Sequence, residues 1–200
     1  MLEMLDISPH VPFFLFNCLH WAFEGRMTRS LANNFTALTH ASSASVLTGL
    51  YVLGNKGVWP VAQSISMGYF LYDLLHIARF GKRNLSDAIY TYHHLACLYI
   101  LQKDPEVYKV GQILLWGELS NIPMYYVYYL LKTDGEPKLL LRWQYIQAVV
   151  YTCIRLPVLG WIGYTSIPRV ADKSPFYPLA PLYCMGLYWS SKLWRNLLKR

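Results

Sequence analysis

An all-α, polytopic transmembrane bundle of about seven spans is the fold class this chain predicts, and three observations carry that expectation. The 200 residues are 54% hydrophobic and 14% charged, the apolar residues gather into seven long runs, and Lys and Arg fall mostly between the runs. A soluble domain carries about 25% charged residues. A helical span needs about 20 apolar residues, so a chain of this length holds six or seven spans joined by short connections. The net charge of +7 would suit a nucleic-acid partner. Its basic residues sit in the gaps instead of forming one stripe, which is the pattern of membrane orientation, so no nucleic-acid partner is expected.

The first run, His10–Phe23, is the shortest and belongs to an N-terminal segment, residues 1–28. Met1–Pro9 carries Glu3 and Asp6 but no Lys or Arg, so it lacks the basic region of a cleavable signal peptide and the span is expected to stay attached. The main domain, residues 29–200, holds the other runs: Phe35–Leu53, Val58–Ala78, Leu85–Leu101, Val107–Leu131, Leu139–Tyr164 and Phe176–Trp194. Gly54 and Asn55, Gly81, Asp104 and Pro105, Asp134–Pro137 and Pro168 occupy the gaps as turn residues do.

Alternate gaps differ in charge. Arg26, Arg29, Arg79, Lys82, Arg83, Lys132, Lys138, Arg142, Lys192, Arg195, Lys199 and Arg200 fall on one side, twelve in all, against five on the other: Lys56, Lys103, Lys109, Arg169 and Lys173. The richer side is therefore expected in the cytosol, with the C-terminus on that side and the N-terminus opposite. Asn34-Phe-Thr and Asn84-Leu-Ser match the glycosylation pattern but fall on the cytosolic side, so neither is expected to carry sugar. Trp59, Trp143, Trp161, Trp189 and Trp194 lie near run ends, as an interfacial belt requires. Tyr125, Tyr126, Tyr128 and Tyr129 fit a groove wall and helix packing equally well. Cys18, Cys97, Cys153 and Cys184 are widely spaced inside the runs and read as small apolar fillers, forming neither a disulfide framework nor a metal site.

Ionisable residues inside the runs are the functional signal, because each costs about 2.5–3.5 kcal/mol at bilayer depth unless a polar site surrounds it. His40, Asp73 and the adjacent pair His93 and His94 come from three runs, at a common depth of about 9–15 Å from the cytosolic helix ends at 1.5 Å per residue. Tyr69, Asp73 and His76 share one helix face, as do Thr36, His40 and Ser43. His93 and His94 point about 100° apart, so one is expected to face the cavity and the other a neighbouring helix. A deeper layer follows: Glu118, Asn121 and Tyr125 on one helix, Gln144, Gln147, Tyr151 and Arg155 on the next. Glu118 and Arg155 are expected to pair. An imidazole can serve as general base or as nucleophile while an acid such as Asp73 orients it, so acyl transfer between lipids fits. The spacing of a zinc site, HExxH or HHxxH, is absent, and no metal is expected.

Five elements in order, Leu38-Thr39-His40-Ala41, Gly68-Tyr69-Phe70-Leu71-Tyr72-Asp73-Leu74, Tyr92-His93-His94-Leu95-Ala96, Gly117-Glu118-Leu119-Ser120 and Arg155, resemble the TLC domain family of ceramide synthases and TRAM proteins. The likeness spans roughly Arg29–Trp194 and is nearest to the small TLC-domain-containing membrane proteins. It implies a six-helix core, an endoplasmic reticulum or other endomembrane location, and a part in membrane lipid composition. In the synthases the paired histidines transfer an acyl group from acyl-CoA to a sphingoid base, so by resemblance His93 and His94 inherit that role. The synthase motif continues into His-Asp-x-x-Asp, where this chain has Gly117-Glu118-Leu119-Ser120-Asn121. Glu118 replaces one acid; Asn121 cannot ionise and does not replace the other.

The expected function is a lipid-handling membrane protein with His93, His94 and Asp73 as candidate catalytic residues. His40, Tyr69, Glu118, Asn121, Tyr125, Gln147, Tyr151 and Arg155 are the candidate substrate-binding set. The expected partner is a membrane lipid or fatty-acyl ligand, with acyl-CoA the co-substrate if the protein is an acyltransferase and no other cofactor. The alternatives are a non-catalytic lipid sensor, chaperone or trafficking factor and, less favoured, a channel or transporter.

Overall fold

The computed structural model describes residues 7–199, and among them the chain is all α-helical. Glu3, Asp6 and Arg200, which entered the charge reading above, lie outside the described residues. The helices are α1 His10–Glu24, α2 Arg29–Val52, α3 Trp59–Phe80, α4 Leu85–Leu101, α5 Val110–Leu119, α6 Ile122–Lys132, α7 Pro137–Val149, α8 Leu156–Ser166 and α9 Leu179–Leu198. A π-helical segment, Val150–Arg155, joins α7 to α8, and only Ser120 and Asn121 separate α5 from α6. Seven rods therefore stand where the sequence has seven apolar runs.

Local chemistry sets where the rods begin and break. Thr28 accepts the Leu31 N–H and starts α2 at Arg29, a turn and a half before the apolar run. Asn84 and Asp87 form a reciprocal capping box on α4. Pro123 has no N–H to offer the Leu119 carbonyl, and the fifth run, expected as one helix, divides at Ser120 and Asn121. Pro157 likewise offers no N–H to the Cys153 carbonyl, and the wider π-helical turn falls immediately before it, ending on Arg155.

The core is hydrophobic, with Phe16, Phe70, Ile100, Leu101, Val110 and Leu114 buried together, but one helix departs from that pattern. The buried face of α2 is small and polar, with Ala32, Thr36, His40, Ala41, Ala44 and Thr48 fully buried, while Val46 and Leu50 face outward. The hydroxyls of Thr36 and Thr48 donate to the carbonyls of Ala32 and Ala44 one turn earlier, which satisfies them inside the helix. On α3, Gly68 lets α1 approach closely: a Cβ there would stand 2.6 Å from Pro12 Cβ and 2.7 Å from Phe13 N. α1 is braced further by Tyr72, whose hydroxyl donates to Asn33 Oδ1 at 2.8 Å and pairs with His20 Nδ1 at 2.9 Å.

α2 packs most extensively on α5, α1 on α3, and α6 on α7, whereas α4 leans chiefly on α3. Toward α9, α4 reaches across by Tyr90 stacked on Trp189 and by the Tyr92 hydroxyl donating to the Pro178 carbonyl at 3.0 Å. One continuous helical stretch among the described residues, Pro137–Arg169, is long and apolar enough to cross a membrane. Rods such as α2 and α3 have the length, but their inward-facing Ser, Thr, His and Asp dilute their hydropathy.

Candidate functional site

Two cavities meet inside the bundle. The first, about 680 Å³, opens between the ends of α2, α3, α4 and α9 on the side rich in Lys and Arg, with Ser30, Lys82, Asp87 and Lys192 at its mouth. The second, about 410 Å³, runs toward the opposite end between α4, α5, α8 and α9, past Ile100, Leu114, Leu159 and Gly163 to Ile167 and Phe176. Phe70, His93, Glu118 and Arg155 belong to both walls. That shared wall is the centre of the site.

Ten of the eleven candidate residues line the first cavity: Tyr69, Asp73, His93, His94, Glu118, Asn121, Tyr125, Gln147, Tyr151 and Arg155. His40 does not. It is fully buried behind the wall, its ring stacked 4.0 Å from that of Tyr69 and its Nε2 paired with Ser66 Oγ at 3.3 Å. The stripe expected through Thr36, His40 and Ser43 is therefore a packing face, and Ser43 donates to carbonyls of its own helix. Of the tyrosine group, Tyr125 and Tyr128 line the cavity, while Tyr126 packs edge-on against Trp143 and Tyr129 against Phe35.

The expected Glu118–Arg155 contact pair does not form. Glu118 Oε2 lies 3.8 Å from His40 Nδ1. Arg155 Nη1 donates instead to Asn121 Oδ1 at 2.6 Å, and to Ser120 Oγ and the Gly117 carbonyl at 3.3 Å each. The break between α5 and α6 explains the choice. The Asn121 N–H turns to the Glu118 carbonyl, so it is lost to Gly117, and the exposed carbonyl end of α5 attracts a cation. The guanidinium thus fastens the break and leaves Glu118 to α2.

His93 and His94 diverge as adjacent helical residues must. His94 turns toward α3, with Nδ1 3.4 Å from Asp73 Oδ2, but the angle is not that of a hydrogen bond. Its ring lies 5.2 Å from that of Phe70. His93 turns along its own helix, where Nε2 meets Cys97 Sγ at 3.7 Å. The sequence reading placed Cys97 among the fillers; its position four residues after His93, one turn along the same face, is the signal that marks it. Cys18, Cys153 and Cys184 are exposed, so they do not fill the interior. Among the described residues no group of His, Cys, Asp and Glu has the arrangement to hold a metal ion.

In comparisons with protein-family models, with curated proteins and with solved structures, nothing matches this chain.

Proposed function

We propose that this is a multi-pass membrane protein of the TLC type that binds a fatty-acyl lipid, with residues 29–200 enclosing the two cavities, α1 braced outside them, and an endomembrane location. The observation that carries the reading is the confluence of a polar cavity and an apolar one at His93, the shape filled by a polar head joined to a long tail. The inverted packing of α2 supports the membrane setting. Small residues let helices approach where no hydrophobic effect drives them together, and the buried hydroxyls of Thr36 and Thr48 are satisfied within their own helix.

With a tail in the apolar cavity, the carbonyl of an acyl donor sits at the shared wall beside His93 and His94. There an imidazole accepts the proton of an attacking amine or hydroxyl, and Asp73 stabilises the imidazolium that forms. Asn121 is held by Arg155, and Glu118, which shares the common wall with His93, approaches His40 without a hydrogen bond to it. One observation favours the second reading, a non-catalytic lipid sensor, chaperone or trafficking factor: His94 and Asp73 touch without hydrogen-bonding. Replacing His93 and His94 with Ala separates the two readings. Under the first, acyl transfer disappears while lipid occupancy persists; under the second, there is no transfer to lose.

Gly117 tests the cavity itself. It lines the apolar cavity on α5, and a Cβ there would meet nothing within 4 Å. Gly117→Leu fills that space and improves helix propensity by about 0.8–1 kcal/mol. Native mass spectrometry of the purified protein is expected to show bound lipid in the wild type and little in the variant, with Tm equal or higher. Equal lipid content in both overturns the cavity reading.

A further inference from the structure

The Cys97 thiol stands where the polar cavity gives way to the apolar one. It lines the apolar cavity one turn beyond His93. Its Sγ is within hydrogen-bond range of His93 Nε2, and the other ring at that depth, His94, lies 5.4 Å from His93. Cys184 reaches the same cavity wall, but among the described residues no imidazole bonds to it. A second observation comes from the adjoining polar cavity, where a ligand's polar group finds unsatisfied partners. His94 is 5% exposed, lines the polar cavity, and has no hydrogen-bond partner for Nδ1 among the described residues; Asp73 Oδ1 beside it has none either. Buried polar atoms are nearly always partnered, and both side chains belong to the wall of the polar cavity, with His94 next in sequence to His93.

We propose that Cys97 is an acyl-accepting nucleophile with His93 as its base, carrying the acyl group of a fatty-acyl thioester while the chain lies in the apolar cavity. The proposal rests on the lipid reading above. A thiol attacks well only once a base takes its proton, and His93 Nε2 is the base within reach. As Sγ bonds to the carbonyl carbon, the thiol proton passes to His93. The donor's carbon–sulfur bond breaks, and His93 returns the proton to the departing thiolate. One thioester replaces another, so no oxidant or energy source is consumed. An amine or hydroxyl acceptor in the polar cavity then attacks the same carbon, the bond to Cys97 breaks, and the acceptor's proton returns through His93 to Sγ. The dry, apolar wall protects the intermediate from water.

The test incubates the full chain in detergent with palmitoyl-CoA, then uses intact and peptide mass spectrometry. The expected result is an adduct on Cys97 that neutral hydroxylamine removes. It is absent in Cys97→Ala and in Cys97→Ser, which keeps the side-chain shape, and unchanged in Cys184→Ala. Labelling of His93→Gln is expected to be about 100-fold slower, the loss of a general base. An adduct that survives in Cys97→Ala, or that maps to His93 or His94, overturns the proposal. Native mass spectrometry of the same samples separates the two failures. Bound lipid without an adduct sinks the Cys97 step alone, whereas neither lipid nor adduct sinks the lipid reading with it.

Discussion

The two cavities share a wall and almost nothing else. The one at the Lys/Arg-rich end carries imidazoles, carboxylates, tyrosines and amides among apolar side chains such as Ile77, Phe80 and Met124, whereas beyond the shared wall the other is lined mainly by aliphatic, aromatic and small residues of α4, α5, α8 and α9. Some of the polar cavity's side chains are tied down by one another: Arg155 to the α5 break, Glu118 toward His40, Tyr69 stacked on His40. The apolar cavity is bounded by α4, which leans chiefly on α3 and meets α9 through Tyr90–Trp189 and Tyr92–Pro178. The difference teaches that directional bonds fix only part of the polar cavity, at Arg155, while His94 Nδ1 and Asp73 Oδ1 in the same wall stay without hydrogen bonds among the described residues; the apolar cavity is set by shape.

Phe70 is the sharpest way to break that contrast. It is 2% exposed and stands in the wall common to both cavities. Phe70→Ala is expected to cost about 3–5 kcal/mol, read as a fall in Tm in detergent, and to merge the two spaces so that lipids of differing head group copurify with it. Unchanged stability and lipid content would show that the wall does not separate them. Next in size is Arg155→Met, which keeps the stem and removes the guanidinium from three acceptors. A loss of about 2–3 kcal/mol is expected, typical of hydrogen bonds to a charged group. Glu118 and Arg155 share Asn121 and lie in one wall, so Glu118→Gln made in the Arg155→Met background is expected to be non-additive, with a coupling of about 0.5–3 kcal/mol. Additive effects in that double-mutant cycle would show that the two groups act independently.

The smallest effect lies outside the helices. Glu106, in the connection before α5, accepts from the Lys56 ammonium at 2.6 Å and the Tyr51 hydroxyl at 2.5 Å, and these hold its carboxyl below the ordinary value of 4.5. A depressed folded-state value means the contribution is present above about 4.5 and is lost as pH falls through the lower, folded-state value. Both charged partners are well exposed, so salt screens the effect. Tm is expected to drop slightly on acidification below the usual carboxylate range, and Glu106→Gln should flatten that part of the profile. A profile unaltered by the substitution would assign the acid sensitivity to the interior.

Much of the site was legible because helical spacing is rigid. Tyr69 with Asp73, and Glu118 with Asn121 and Tyr125, were placed together by period alone, and they line one cavity. The same rule misjudged His40, since a helix face that looks polar can be turned into a neighbour: here the ring of Tyr69 covers it. It also missed Cys97, because apolar runs hide a thiol among aliphatic residues and only the His93 rotamer shows which atom it meets.

By itself the sequence determined the seven rods and their order, because apolar periodicity, prolines and caps act within a few residues of chain. Tertiary structure alone decided which charges meet. Arg155 could reach Glu118 or the broken end of α5, and only the placement of one rod against the other brings its guanidinium to Asn121. Tertiary structure decided equally that the space beyond His93 stays open, since a cavity is what the packing of four separate rods leaves unfilled.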